Sequence, residues 1–385
     1  MKISNYIHSL VEGGIVPGIS ILVGKREKIR FKKQYGLKSI FPSNEKLEDA
    51  PPTLYDLASL TKPLVTAFLL VYLKEKEKIA LDKQVKEILP QLPNEFDMTL
   101  LHLLTHTSGL PAWFPFYLFA DKIDSDGYLA HFPLVKLESR PGRRVEYSCV
   151  GYILLYYVIE KIAGTSFKAL AREVIFEPLG LKNTFLEVPE HLKKNTAPTE
   201  KGNEYERKLA LDWARTYESG KYLERARQYK WREEVIQGEA HDVNSHHLGG
   251  TAGNAGLFST MEDVFRLCQE FFPSTASLLN PESLRLFWKN FTPFKISHRT
   301  VGFKRNSSFI TSGGRALSRA AIGHNGFTGT SLWLDPRKEM TFILLSNRVH
   351  PEYKAVNFDK IRRKLHRLLT REPEYRKGGR QEKQG

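Results

Sequence analysis

The chain has 385 residues, 41% hydrophobic and 26% charged, an ordinary globular balance with length enough to bury its own core. Its two cysteines exclude a disulfide scaffold, and no CxxC pair suggests structural zinc. The net charge of +15 is spread along the chain without a compact Lys/Arg block, an RNP-like aromatic pattern or a zinc finger, so solubility or a preference for small anionic substrates is expected, not a nucleic-acid partner.

The longest apolar run, residues 65–73, is broken by Thr66 and Tyr72 and falls short of the ~20 residues a membrane span needs. The N-terminus MKISNYIHSLVEGG has no basic start followed by an apolar block, so a cytoplasmic location is expected. In chain order, residues 16–23 and 28–35 read as two strands around a charged turn at 25–27, a hairpin pattern. Residues 37–56 form a Pro/Ser/Asn-rich connection. Residues 62–78 place Leu64, Ala67, Phe68 and Val71 at helical spacing. Helices are expected at 102–104 and 150–163, the latter pattern resuming at 165–170.

Residues 189–238 are highly charged and read as an insertion packed on the outside, or a lid, with a helix-like stretch over 205–234. Trp213 and Trp231 are expected to pack it down. Helices follow at 262–272 and 281–290, Cys268 reading as core. Strands are expected at 301–303, 330–335 and 340–346, then a basic helix at about 359–369. The tail 371–385 is polar and Gly-rich and is expected to be disordered. First and last strands can share one antiparallel sheet, with a mostly helical region between them. The expected fold is α+β, one catalytic domain over 1–370, its sheet region at about 1–56 and 262–370, its helical region at about 57–261, and a cleft between them.

The sharpest local signal is Ser59-Leu-Thr-Lys62. On a helix, positions i and i+3 share a face, which brings Lys62 beside the Ser59 hydroxyl. A serine needs a base in contact to act as a nucleophile, and a lysine serves when it is neutral part of the time. Pro63 fits only the first turn of a helix, so Ser59 sits at its very start. Two further motifs follow: Glu146-Tyr-Ser-Cys-Val-Gly-Tyr152 at a loop-to-helix junction, and Gly323-His-Asn-Gly-Phe-Thr-Gly-Thr330 entering a strand.

These three elements, in this order, resemble the serine hydrolases of the class C β-lactamase and penicillin-binding-protein-like family, which carry SxxK, YxN and KTG or HTG motifs. Leu101-His-Leu-Leu-Thr-His-Thr-Ser-Gly-Leu110, Pro141-Gly-Arg143 and the glycine-rich stretch 249–263 extend the resemblance to nearly the whole chain. It implies Ser59 as the acylated nucleophile and Lys62 as proton acceptor, directly or through Tyr147. Tyr147 would shuttle the proton to the leaving group and then activate water. The backbone N–H groups of Ser59 and Phe327 would form the oxyanion hole, Phe327 lying on the edge strand after Gly326. His324 would help hold a polar or carboxylate group, Asn325 would offer an amide donor, and Gly326 would leave room for substrate.

Cys149 stands where the family usually has Asn, and a thiol donates and accepts weakly. His324 replaces the KTG lysine and is mostly uncharged at neutral pH, which argues against an efficient β-lactamase. The stretches 237–244, 197–200 and 345–351 are similar to a branch linked to cell-wall recycling that includes N-acetylmuramoyl-L-alanine amidases; Asn254 stands where that branch often has histidine.

His241, Asp242, His246 and His247 invite a metal reading, but adjacent loop residues seldom complete a tetrahedral set. His241 and Asp242 are expected to line the cleft on a hydrogen-bonded loop, His246 and His247 to lie at the surface, with no metal or other cofactor. His102 and His106 are expected to be structural. Three functions follow: a hydrolase acting through an acyl-enzyme on a peptidoglycan-derived peptide, or on an ester or β-lactam; an impaired binding or sensing module on the same fold; and a basic protein binding an anionic polymer, marked by steep salt dependence. The first leads, with a small-molecule or peptide substrate and a monomer or weak oligomer.

Overall fold

The computed structural model describes residues 2–48, 51–120, 127–306 and 311–372. The expected hairpin forms as β1 (Gly18–Lys25) and β2 (Lys28–Ser39). Seven further strands follow: β3 (Glu45–Lys46), β4 (Tyr55–Asp56), β5 (Phe258–Ser259), β6 (Lys304–Arg305), β7 (Ile322–Asn325), β8 (Ser331–Asp335) and β9 (Met340–Ser346). The main sheet is antiparallel in the order β3-β2-β1-β9-β8-β7-β6, so the first and last strands of the chain pair directly through β1 and β9. β4 and β5 form a separate small ladder at the junction with the helical region.

The pleat sends alternate side chains to opposite faces. Ile19, Ile21, Val23, Trp333, Phe342 and Leu344 join a core under the N-terminal helix Ile3–Glu12 and the C-terminal helix Phe358–Leu369. Leu22, Leu332, Leu334, Ile343 and Leu345 join the larger core that includes the Met261–Cys268 helix and the helical region. Both faces are therefore covered, and β1, β8 and β9 are buried along almost their full length. The α+β architecture expected from the element order is the one observed.

Several local expectations change. Residues 301–303 are not a strand; pairing begins one residue later, at β6, which is the sheet edge. β7, an Ile-Gly-His-Asn segment without alternation, is a strand all the same. Phe327 lies in the turn between β7 and β8, not on a strand. Gly164, in the left-handed region at φ 65°, ends the Cys149–Ala163 helix and separates it from Phe167–Ala171. The helix expected over 205–234 breaks into Glu204–Thr216 and Leu223–Gln228, kinked where Glu218 and Ser219 take φ of 46° and 57°. The expected disordered tail lies, but for 371 and 372, outside the described residues.

Candidate active site

Ser59 lies in a 3₁₀ turn, Ala58–Leu60, that precedes the helical segment beginning at Lys62. Pro63 supplies no N–H to the first turn, and residues Lys62–Ala67 wind as a π-helix before the α-helix Phe68–Lys76. The turn is pinned from several sides. Asp56 accepts from the Ala58 N–H (2.8 Å) and the His241 N–H (2.8 Å). Thr328 and Thr330 donate to the carbonyls of Asp56 (2.7 Å) and Leu57 (3.0 Å). The Ser59 turn is thus tied to the β7–β8 turn that carries Phe327. Among the described residues, the backbone N–H groups of Ser59 and Phe327 have no hydrogen-bond acceptor, and both residues line the same cleft.

Lys62 is fully buried, and its ammonium reaches three acceptors: Ser59 Oγ (3.1 Å), Cys149 Sγ (3.4 Å) and the Asn254 carbonyl (2.8 Å). The Tyr147 hydroxyl donates to Ser59 Oγ at 2.8 Å. Tyr147 precedes the Cys149–Ala163 helix, whose cap Ser148 accepts from the Gly151 N–H and donates to the Pro111 carbonyl. His106 Nδ1 accepts from the Ser148 N–H, and its ring packs 4.7 Å from the Tyr147 ring. His106 therefore positions Tyr147 and is no base for Ser59; His102 caps its own helix through Thr99. The helical SxxK spacing and the tyrosine motif meet at one oxygen, as expected.

Burial favours the neutral amine of Lys62, but its neighbours Cys149 and Tyr147 favour the ammonium and hold it above the ordinary lysine value. Burial raises the Tyr147 hydroxyl above its ordinary value, against the pull of the Lys62 charge. The resting pair is ammonium and phenol. One of the two must lose a proton before the pair can take one from Ser59.

The cleft opens to both sides of Ser59. One cavity, about 340 Å³, is lined by Ser59, Tyr147, Arg299, Lys304, His324, Phe327, Arg348 and Arg362 among others, with no Asp or Glu. Burial and the charges of Lys62 and Arg299 hold His324 well below the ordinary histidine value. Its Nδ1 lies 2.9 Å from the Asn325 carbonyl, which can only accept, so Nε2 presents a lone pair. A neutral ring with that tautomer does not attract a carboxylate, and of the two partners expected for it only a polar hydrogen-bond donor suits Nε2. Two residues the motifs did not flag carry the charge. Arg299 is buried, its Nε has no partner, and its guanidinium faces the Tyr147 ring at 6.0 Å. Lys304, across a β-bridge, is lowered by burial and by Arg299. Each stood as one basic residue among many, outside any local pattern.

Two other expectations also change. The Asn325 amide donates to Asp359 (3.0 Å) and its carbonyl accepts from Ser312 (2.9 Å), so it is already engaged within the fold. Gly326 leaves no room for substrate: a Cβ there would meet Thr330 Oγ1 at 2.0 Å and the Leu57 carbonyl at 2.6 Å. It is glycine so that the turn can pack against the Ser59 loop.

The second cavity, about 270 Å³, shares Ser59, Tyr147 and Phe327 and adds Cys149, Trp113, Tyr205, Glu206, Leu209, His241 and Asp242. Tyr205, Glu206 and Leu209 come from the charged insertion, which therefore walls the cleft. His241 Nε2 meets Glu200 at 3.1 Å, and Asp242 accepts from Asn254 Nδ2 at 3.1 Å. Both line the cleft on a hydrogen-bonded loop, as expected. His247, expected at the surface, is half-buried, stacked on Tyr128 and bonded to its hydroxyl. His246, also half-buried, lies 3.5 Å from Glu239. Among the described residues no group of three His, Cys, Asp or Glu side chains is placed to hold a metal ion.

The Beta-lactamase family model matches residues 3–366. The chain belongs to the β-lactamase family. It is a serine hydrolase of that family. It is 28% identical over 377 residues to a putative D-alanyl-D-alanine carboxypeptidase of Escherichia coli (strain K12), covering 91% of this chain and 82% of that protein. It is also 28% identical over 376 residues to an N-acetylmuramyl-L-alanine amidase of Bacillus subtilis (strain 168), covering 91% and 81%. The fold matches that of a class C β-lactamase with a TM-score of 0.70 at 18% identity, covering 96% of this chain and 95% of that one.

Proposed function

We propose that this hydrolase cleaves an amide bond in peptidoglycan-derived peptides through an acyl-enzyme on Ser59. The reading rests above all on Ser59 Oγ, which lies 3.1 Å from Lys62 Nζ and 2.8 Å from the Tyr147 hydroxyl at the meeting of two cavities. When the Lys62–Tyr147 pair has lost one proton, it takes the Ser59 hydroxyl proton as Oγ adds to the scissile carbonyl. The N–H groups of Ser59 and Phe327, free of internal acceptors, receive the oxyanion. Tyr147 passes the proton to the departing amine, the C–N bond breaks, and an ester on Ser59 remains. Water then follows the same route in reverse. Cys149 serves as an acceptor that keeps Lys62 charged and in place.

The substrate class follows from the walls. Arg299 and Lys304 press on each other in a cavity whose lining has no acid, Asp359 acting on Lys304 from outside that lining while bonded to Arg362 and Asn325, and a peptide carboxylate supplies an anion to the cleft. The names of the two relatives above agree with a cell-wall peptide. The second cavity, walled by Trp113, Tyr205, Leu209 and Phe327, favours an apolar acyl group and carries a secondary reading as a carboxylesterase. The deciding experiment is intact-mass spectrometry after brief mixing with an activated ester. A transient adduct present in the wild type and absent from Ser59→Ala is expected. Release of a peptide from a muropeptide panel, with simple esters turned over more slowly, supports the amidase reading; esters alone support the second. No adduct on folded protein with any acylating reagent overturns both.

A further inference from the structure

Among the described residues, two large apolar side chains on one loop stand almost wholly in water. Phe294 is 98% exposed and Ile296 99%, whereas the next, Ile29, is 45% exposed. The loop is not loose. Thr292 Oγ1 donates to the Ser297 carbonyl (2.9 Å) and accepts from the Arg299 N–H (2.7 Å), and the Phe291 N–H donates to the Arg299 carbonyl (2.9 Å). These bonds close its base and hold its tip outward. Lys295, between the two apolar residues, donates to the Arg143 carbonyl at 2.7 Å, which sets the exposed Arg140, Arg143 and Arg144 beside the tip. Exposed Lys289 stands on the other flank. No Asp or Glu occurs from residue 283 to residue 334, a stretch holding eight Lys and Arg.

Water gains nothing from two isolated apolar side chains on a rigid cationic tip, whereas an anionic lipid surface offers both an apolar layer and negative headgroups. We propose that the 290–298 loop is a membrane-docking tip, with Phe294 and Ile296 entering the interface and the flanking basic residues meeting anionic headgroups. The charge of this face selects a lipid surface over a second copy of the chain, whose own tip would bring like charge against like. The same segment runs inward to Arg299 and Lys304 on the cleft wall.

The test is sedimentation of the full chain with vesicles of equal phosphatidylglycerol and phosphatidylcholine, beside vesicles of phosphatidylcholine alone. The wild type is expected to bind the anionic vesicles, to bind the neutral ones weakly and to be released by salt. The double variant F294S/I296S should bind roughly tenfold less or weaker still, because two apolar side chains no longer leave water. Its turnover of a soluble activated ester should match the wild type, which confirms an intact fold. Equal binding by wild type and variant overturns the proposal, as does equal binding to neutral vesicles. A wild-type dimer that the variant loses, seen without vesicles, would assign the tip to a second copy instead.

Discussion

Ser59 Oγ receives hydrogen bonds from two groups that both hold their protons more tightly than usual. In the proposed mechanism activity therefore waits on the loss of one proton from the Lys62–Tyr147 pair. The fraction so deprotonated grows tenfold per pH unit until the pair titrates, so kcat/KM for an activated ester should climb from about pH 6 and level off only in alkali. A flat profile over that range would show that another group serves as the base. Tyr147→Phe removes the proton carrier while leaving Lys62 its contact with Ser59, and should lower kcat by roughly 10²–10⁴-fold with little change in KM. On the cationic wall, Arg299→Gln should raise KM roughly 10–100-fold for a peptide with a free carboxylate, the worth of one charged hydrogen bond, and leave its amidated counterpart unchanged. Equal effects on both peptides would place the carboxylate elsewhere. The residues differ in how far the chain announces them. Ser59, Lys62 and Tyr147 stand in local patterns whose spacing has a chemical reason. Arg299 and Lys304 gain meaning only when tertiary packing sets them side by side on a cavity wall whose lining holds no acid. His324 and Gly326 stand in a recognisable motif, yet their roles depend on a tautomer and on a neighbour's hydroxyl, which no spacing encodes.

At the scale of elements, the insertion is the part that departs most from a plain reading. Its charge pattern announced an outer layer, but not that Glu204–Thr216 would line the cleft through Tyr205, Glu206 and Leu209. Nor did helical periodicity foresee the break at Glu218 and Ser219, where Gly220 follows directly at φ 85°, and the insertion is held by its anchor on the rest of the chain. That anchor is aromatic. Trp213 lies 5.2 Å from Phe114 and stacks on Tyr217 at 4.5 Å, while Trp231 packs against Tyr117 and Tyr229. Removing one such ring costs its buried area and leaves a void. Trp213→Ala should destabilise the fold by about 2–3 kcal/mol, a half-buried ring giving less than a full core deletion. It should also speed proteolytic cleavage around residues 217–220 and raise KM for substrates that fill the second cavity. Denaturant titration and limited proteolysis check this; unchanged cleavage would mean the insertion is held by its other contacts. The short strands β6 and β7 were less legible for a simpler reason. Two residues, and four with a glycine and two polar side chains, carry no period to read, and only their neighbours in the sheet make them strands.

Across the whole molecule, buried histidines sit where separate elements meet. His106 accepts from the Ser148 N–H beside Tyr147, and His324 donates to the Asn325 carbonyl at the sheet edge. His350 accepts from the Ile40 N–H and meets the Thr199 carbonyl, joining the end of β2 to the insertion. His366 bonds the Ser312 carbonyl under the C-terminal helix. Burial, the largest cause in each, holds all four below the ordinary value, His366 at about 4. In the unfolded chain the same side chains take a proton near pH 6.5. Between the folded and unfolded values the unfolded state binds more protons, so stability is full above about pH 6.5 and falls as the pH drops below it. Each such histidine contributes a slope of up to about 1.4 kcal/mol per pH unit. Glu206 opposes them. Burial and the Asp242 charge push it to about 8, so the folded state binds its proton more tightly and gains stability as the pH falls from there toward the ordinary carboxyl value. Asp56, Asp263 and Glu138, raised mainly by burial, pull the same way as Glu206, while His102 and His246, lowered mainly by burial, add to the four histidines, and each proton added to a chain already at +15 raises its self-repulsion. The urea midpoint should therefore drop clearly between about pH 7.5 and 5, with the slope steepening below 6.5. A midpoint that holds or rises over that interval would mean that the histidine sites admit water and charge without unfolding.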